Sequence, residues 1–332
     1  MLQITDKVKE VLRASGSLNK EVSLKATTEL AKALELPLRK GVLDGDILGG
    51  IFEAIELADG VSPEFPLDLL TPGTEKDWVA YTIPNHGYIP QRNVESDYVM
   101  IPMYEIGGAI DWLLKYARNA RWDIVSRCME VLRAQFTKKL NDDGWHTLLA
   151  AGVDRNIVVL DSDAAAGQFT KRLVSLGKTV MRRNGGGNTT SVSRGKLTDL
   201  YISPEAMEDI RNWNVDQVDE ITRREIFVAD GDNAINRIFG VNLHDLDELG
   251  EGQEYQLYAT SDLSVTLPGT DVELAVGLDL SKRDSFVMPT RSPGLEIFAD
   301  DTMLRQRRTG FWGTLEIGFG CLDSRRILLF SL

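Results

Sequence analysis

The amino-acid sequence predicts an α+β protein on three observations. From about Glu105 to Ala151, apolar residues recur at steps of three or four, the period of a helix lying on a surface. From Val61 to about Ser96, Pro63, Pro66, Pro72, Pro84 and Pro90 exclude helix, while Trp78–Ile83 reads as a strand. The last third is a series of short apolar runs separated by turn residues, the texture of strands.

Residues 1 to about 36 place Ile4, Val8, Val11 and Leu12 on one helical face. Ser15–Ser17 interrupts that face, and a second helix follows through Leu24, Leu30 and Leu34, ended by Pro37. Ile47, Phe52, Ile55 and Glu56 predict a third helix, closed by Gly60 in a left-handed turn. These segments read as an arm. A strand at Tyr98–Met103 would return the Trp78–Ile83 strand, making a long hairpin whose tip holds His86 and Gly87.

The stripe Ile106, Ile110, Leu113, Ala117, Ile124, Cys128, Leu132, Phe136 and Leu140 predicts a helix spanning roughly 70 Å, or two helices if broken near Arg118–Ala120. Beyond Asp161 a second α+β region begins, with a helix at about Ala164–Arg182, a glycine-rich loop at Asn184–Asn188 and a strand at Leu197–Ile202. Ser203 as N-cap and Pro204 at the first helical position mark the next helix, and Asp216 with Asp219 another. Strands are expected at Tyr255–Thr260, Glu273–Leu280, Phe286–Met288, Leu295–Phe298, Trp312–Cys321 and Ile327–Phe330.

Of 332 residues, 43% are hydrophobic and 26% charged, a composition that folds rather than staying disordered. No run of about 18 apolar residues occurs, and the charged start lacks a signal-peptide core, so a soluble protein made in a reducing cytoplasm is expected. A net charge of -13 argues against gripping nucleic acid, because neutralising phosphates requires a surplus of Lys and Arg.

Chemistry is not legible. His86, His146 and His244 stand far apart, outside any metal-ligand spacing. The glycine-rich loop and the later Gly195-Lys196 pair fail as a phosphate cradle: Thr190 stands where the first glycine belongs, and Leu197 where a Ser or Thr would hold magnesium. Asp142-Asp143 and Asp300-Asp301 fit helix ends and turns. Arg305, Arg307 and Arg308 form a basic cluster suited to carboxylates on a neighbouring subunit. No catalytic, cofactor-binding or metal-ligating residue is expected.

The order of parts resembles the Hong Kong 97-like major capsid fold of tailed bacteriophages. Ile101–Gly152 resembles the family's spine helix and the turn after it. Leu197–Trp213 and Ile235–Tyr258 resemble strands and a helix of its axial domain, and Phe311–Leu332 is similar to the closing strands of its peripheral domain. The resemblance covers roughly residues 44–332 and rests on the order of these segments.

It implies an N-terminal helical arm over 1–60, an extended loop over 61–96, a peripheral domain with the spine helix over 97–152, an axial domain over 153–288 and peripheral return strands over 289–332. It further implies a non-enzymatic shell protein that assembles as pentamers and hexamers in the host bacterial cytoplasm and resides in the virion. The implied partners are copies of itself, portal and scaffolding proteins, a decoration protein, and packaged double-stranded DNA bound without sequence specificity. The stretch ahead of the extended loop is too short for a built-in scaffold, which implies a separate one or none. Expected inter-subunit contacts are Lys76, Trp78, His86 and Arg92 in the extended loop, with Arg305, Arg307 and Arg308. Some members join a loop lysine to an asparagine near the C-terminus. Lys76 would be the lysine, but no asparagine follows Asn242, so a non-covalent shell is expected. Two alternatives remain: an encapsulin-like compartment, which would not capture DNA, and a monomeric α+β enzyme with a site built from scattered residues.

Overall fold

Alternation of buried and exposed residues along ten-residue strands, and heptad-like burial along one long helix, set the architecture. The computed structural model describes residues 6–17, 19–44, 47–58, 60–66, 98–165, 167–184, 195–213, 237–268, 273–281, 283–292, 294–300 and 306–332. The expected strand at Trp78–Ile83, residues 185–188 of the glycine-rich loop and the helix start at Asp216 and Asp219 lie outside them. The chain divides into two compact units, the first built from residues up to Glu64, Met100–Gly144 and Val287–Gly320, the second around Trp145–Phe286 and Cys321–Leu332.

In the first unit, helices α1 (Asp6–Ser15) and α2 (Lys20–Asp44) pack on each other. Ser23 Oγ donates to the Ser15 carbonyl at 2.6 Å, tying the turn between them. Pro37 does not end α2; the helix runs through it to Asp44. Loss of one backbone hydrogen bond is tolerated because Leu38, the next residue, is buried. The helix expected around Ile47–Glu56 is instead a short 3-10 turn at Ile47–Gly50 followed by strand β1 (Glu53–Leu57). Tertiary pairing overrides local pattern there, since β1 runs parallel to Val287–Arg291.

The same correction applies to the start of the long helix. Residues Tyr104–Leu113 form strand β4, paired antiparallel over its whole length with β12 (Arg308–Ile317). Its inner face, Ile106, Gly108, Ile110 and Trp112, is every second residue, and a run this apolar fits either period. Helix α3 (Leu114–Arg118) follows, and the break falls at Asn119–Arg121, where Ala120 takes a positive φ of 48°. Helix α4 (Trp122–Asp154) then buries Val125, Met129, Leu132, Phe136 and Leu140. A Cβ placed on Gly108 would meet Phe136 at 3.1 Å and Leu132 at 3.3 Å, so helix and sheet pack closely there. Strands β10 (Phe286–Arg291), β11 (Glu296–Asp300) and β13 (Gly320–Cys321) complete this sheet, whose path is β1-β10-β12-β11 with β4 on β12 and β13 on β10. Strands β2 (Glu64–Pro66) and β3 (Tyr98–Met100) form a separate two-stranded sheet.

The second unit holds the sheet β5-β14-β9-β6-β8-β7, made from β5 (Val158–Leu160), β6 (Asp199–Ile202), β7 (Arg237–Ile238), β8 (Val241–Asp245), β9 (Leu274–Leu278) and β14 (Ile327–Ser331). The closing segment is therefore split: β12 belongs to the first sheet, whereas β14 lies between β5 and β9. All five residues of β9 and of β14 are buried. Leu328 and Phe330 enter the core with Leu173, Val174 and Met181 of helix α5 (Lys171–Asn184), while Ile327 and Leu329 meet Gly152 of α4 on the opposite face. Burial of each such side chain contributes about 1.5–3 kcal/mol.

Helix α5 starts at Lys171 rather than near Ala164, because Asp161 captures the chain first, accepting from the Asp163 amide and from the Thr170 hydroxyl. Helix α6 (Pro204–Asn212) begins as expected, with Ser203 Oγ accepting from the Ala206 amide at 3.1 Å. Tyr255–Thr260 is not a strand; Glu254–Leu257 is helical and continues into a wider turn over Tyr258–Asp262. Tyr255 packs on Trp145 there, with ring centroids 5.9 Å apart.

Candidate functional site

Strands β2 and β3 flank residues 67–97 and pair only with each other among the described residues. A two-stranded sheet is at best marginally stable in water without a third partner. On β3, Tyr98 and Met100 are two residues apart and therefore share a face, and they remain 60% and 62% exposed. Val61, just ahead of β2, is also exposed. The stem thus offers an apolar surface with nothing of its own chain over it among the described residues. Sequence alternation places Tyr98 and Met100 on a common face, but only the fold shows that this face looks outward.

Lys76, Trp78, His86, Arg92 and Arg305 lie outside the described residues. Arg307 is exposed, takes a positive φ of 57°, and its carbonyl accepts from the Leu114 amide at 2.9 Å. Arg308 Nε lies 2.6 Å from Asp111 Oδ2 within the same chain, and its side chain stays 45% exposed. The antiparallel register explains this, because Gly310 faces Asp111 and leaves the next outward position, Arg308, within reach of the carboxylate. Two residues of β11 and β12 to which sequence pattern assigns no role, Phe298 and Trp312, stack at 4.5 Å and are each 40% exposed.

Asp199 and His244 of the second unit are engaged in holding its sheet. Asp199 Oδ1 lies 3.0 Å from Asn242 Nδ2 and 2.9 Å from His244 Nε2, and the His244 ring stacks on Tyr201 at 4.5 Å. Burial alone would raise the Asp199 carboxyl, but the hydrogen bonds from His244, Thr198 and Asn242 outweigh it and hold the group below the usual carboxylate range. His146 stacks on Tyr258 at 3.9 Å. Burial pushes the Cys321 thiol up to about 12 and also raises Cys128, so both free cysteines are held as thiols. A cavity of about 370 Å³ is lined by Phe169, Lys171, Arg172, Asp209 and Trp213, where Asp209 Oδ2 accepts from the Phe169 amide. No group of three or more metal-ligating side chains occurs among the described residues, nor a helix long and apolar enough to cross a membrane.

Glu273 gives a pH test of this wiring. It accepts from Ser203 Oγ at 2.6 Å, yet burial first, and then repulsion from Glu205, Asp209 and Glu251, raises its carboxyl. A carboxyl raised on folding binds its proton more tightly in the folded state, so its contribution is fully present below the unfolded value near 4.3 and is lost as pH climbs through the folded one. Glu273→Gln keeps an acceptor for Ser203 and sheds the charge. The variant is expected to be more stable than the parent at pH 7, with the gap closing toward pH 4; chemical denaturation at both values checks it, and a gap independent of pH contradicts it.

No family model and no curated protein matches the chain. Solved structures do. The head structure of Helicobacter pylori bacteriophage KHP40 matches at TM-score 0.55 and 9% identity over 86% of this chain and 90% of that one. The capsid asymmetric unit of cyanophage Pam1 matches at TM-score 0.54 and 10% identity over 85% and 88%. A chain of Microbacterium phage Oxtober96 matches at 0.55 and 11% over 87% and 90%. At these identities the likeness establishes a common fold, α+β and shared with phage capsid chains.

Proposed function

We propose that this protein is a shell-forming subunit, the major capsid protein of a tailed bacteriophage, which assembles as pentamers and hexamers around double-stranded DNA. The observation that carries the reading is the exposed Tyr98–Met100 stem on a fold shared with phage capsid chains. A hairpin base that buries too little on its own gains stability only against a partner, the logic of strand addition between copies. Contacts through Lys76, Trp78, His86, Arg92, Arg305, Arg307 and Arg308 belong to this reading. So do an N-terminal arm, an extended loop, peripheral and axial domains, and assembly in the host bacterial cytoplasm into a virion. Portal, scaffolding and decoration proteins would be its partners. The protein is a structural component and not an enzyme.

The test is electron microscopy and sedimentation of the expressed protein, alone and with a co-expressed scaffold. Closed particles are expected, held non-covalently and running as monomer once boiled. Tyr98→Asp combined with Met100→Asp is expected to leave the melting temperature of the subunit unchanged, because both side chains are exposed, while abolishing particles. A parent chain that stays monomeric at high concentration in both settings overturns the reading.

A further inference from the structure

We propose that helix α5 of one copy docks on the acidic segment after β8 of a second copy, a head-to-tail contact that repeats around a ring. The inference rests on the shell reading and names a surface pair for it.

In a chain of net charge -13, α5 carries Lys171, Arg172, Lys178, Arg182 and Arg183 and no acidic residue. All five are exposed. Arg172 is ion-paired with Asp161 and Asp163, so among the described residues the part of the stripe with no ion pair is Lys178, Arg182 and Arg183. Cations near a helix C-terminus are ordinary, since they meet its partial negative charge. A helix with five of one sign and none of the other goes further than that.

The complement is in the same unit. From Ile238 to Leu280 the sequence has no lysine or arginine; Asp247 and Glu205 of α6 act on Asp245 at the exit of β8, and Glu248 and Glu251 follow in sequence. Burial raises the Asp245 carboxyl, and repulsion from Asp247 and Glu205 raises it further; Arg211 only partly offsets this. A cation brought from elsewhere would relieve that repulsion.

The two surfaces sit at opposite ends of β8. Lys178 Nζ donates to the Phe239 carbonyl at 2.7 Å, in the turn that enters the strand, and Gly195, ahead of β6, packs against the Arg182 backbone at that same end. Asp245 is at the other end of this strand, four residues after Val241, or about 13 Å away. Complementary patches at opposite ends of one unit meet between copies rather than within one, and such heterologous contacts close into rings when the rotation allows.

The test compares Arg182→Glu with Arg183→Glu, Asp247→Lys with Glu251→Lys, and the four changes combined, reading by sedimentation the concentration at which particles form. Each pair of reversals is expected to raise that concentration about tenfold or more, and the combination to bring it back toward the parent's. Reversals that assemble like the parent, or a combination no better than either pair, overturn the inference while leaving the shell reading intact. Loss of co-purifying nucleic acid in Arg182→Glu with Arg183→Glu, at unchanged assembly, also overturns it, assigning α5 to a polyanion. If a reversed chain fails to fold, Arg182→Gln with Arg183→Gln should weaken the salt dependence of assembly, and an unaltered dependence is again contrary. A parent that forms no particles defeats the shell reading instead.

Discussion

Asp279→Ala is expected to destabilise the second unit by about 3 kcal/mol or more, because the carboxylate is fully buried and several donors converge on it. Oδ2 accepts from the Gly195 amide at 2.8 Å and the Lys196 amide at 3.1 Å, and Oδ1 accepts from the amide and hydroxyl of Ser281. Removing the side chain leaves buried donors without an acceptor, the costly direction of the hydrogen-bond exchange with water. At this size the loss corresponds to a fall in melting temperature on the order of 10 °C. Asp279→Asn, which keeps one oxygen acceptor, should lose less. A calorimetric melt of both variants checks the ranking, and an alanine variant melting like the parent refutes it. Asn184, at the end of α5, donates to the Arg325 carbonyl, so this residue and the Gly195-Lys196 pair are both held by hydrogen bonds within the second unit.

Gly310→Val is expected to cost the first unit about 3 kcal/mol through overpacking against backbone. A Cβ at this position would overlap the Ile110 carbonyl oxygen and stand 2.8 Å from Asp111 Cα, the residue directly opposite in the β4–β12 register. Backbone held in a ten-residue ladder cannot move aside as the end of a side chain can, so the pairing itself must open. Gly240→Asn is the control: that glycine has a positive φ of 78° but open space around it, and asparagine tolerates the conformation. Urea unfolding should separate the two variants by more than 2 kcal/mol, a difference of the order set by overpacking alone. Equal midpoints would show that β4 and β12 are not in this register.

What local chemistry dictates is legible in the amino-acid sequence. The Ser203-Pro204 helix start, the strands at Phe286–Met288 and Ile327–Phe330, and the α+β class all follow from capping, periodicity and branched or aromatic runs, and the helix break allowed near Arg118–Ala120 is found at Asn119–Arg121. Where local pattern misleads, a distant partner decides. Glu53–Leu57 and Tyr104–Leu113 both carry apolar spacing compatible with helix, and both are strands because β10 and β12 present matching backbone edges. The ion pair of Arg308 with Asp111 likewise follows from the β4–β12 register and not from local pattern.

The sequence by itself determined the class of fold, the absence of a legible catalytic motif and the unequal charge of α5 and the segment after β8, since composition and short-range pattern suffice for each. Only the tertiary structure decided which sheet takes the last strand, which faces of β3 and β12 look outward, and that the two charged surfaces occupy opposite ends of β8. Those depend on pairing between residues from tens to about two hundred positions apart, and a strand's hydrogen-bonding edge is the same backbone whatever its side chains, so the partner cannot be read from the strand alone.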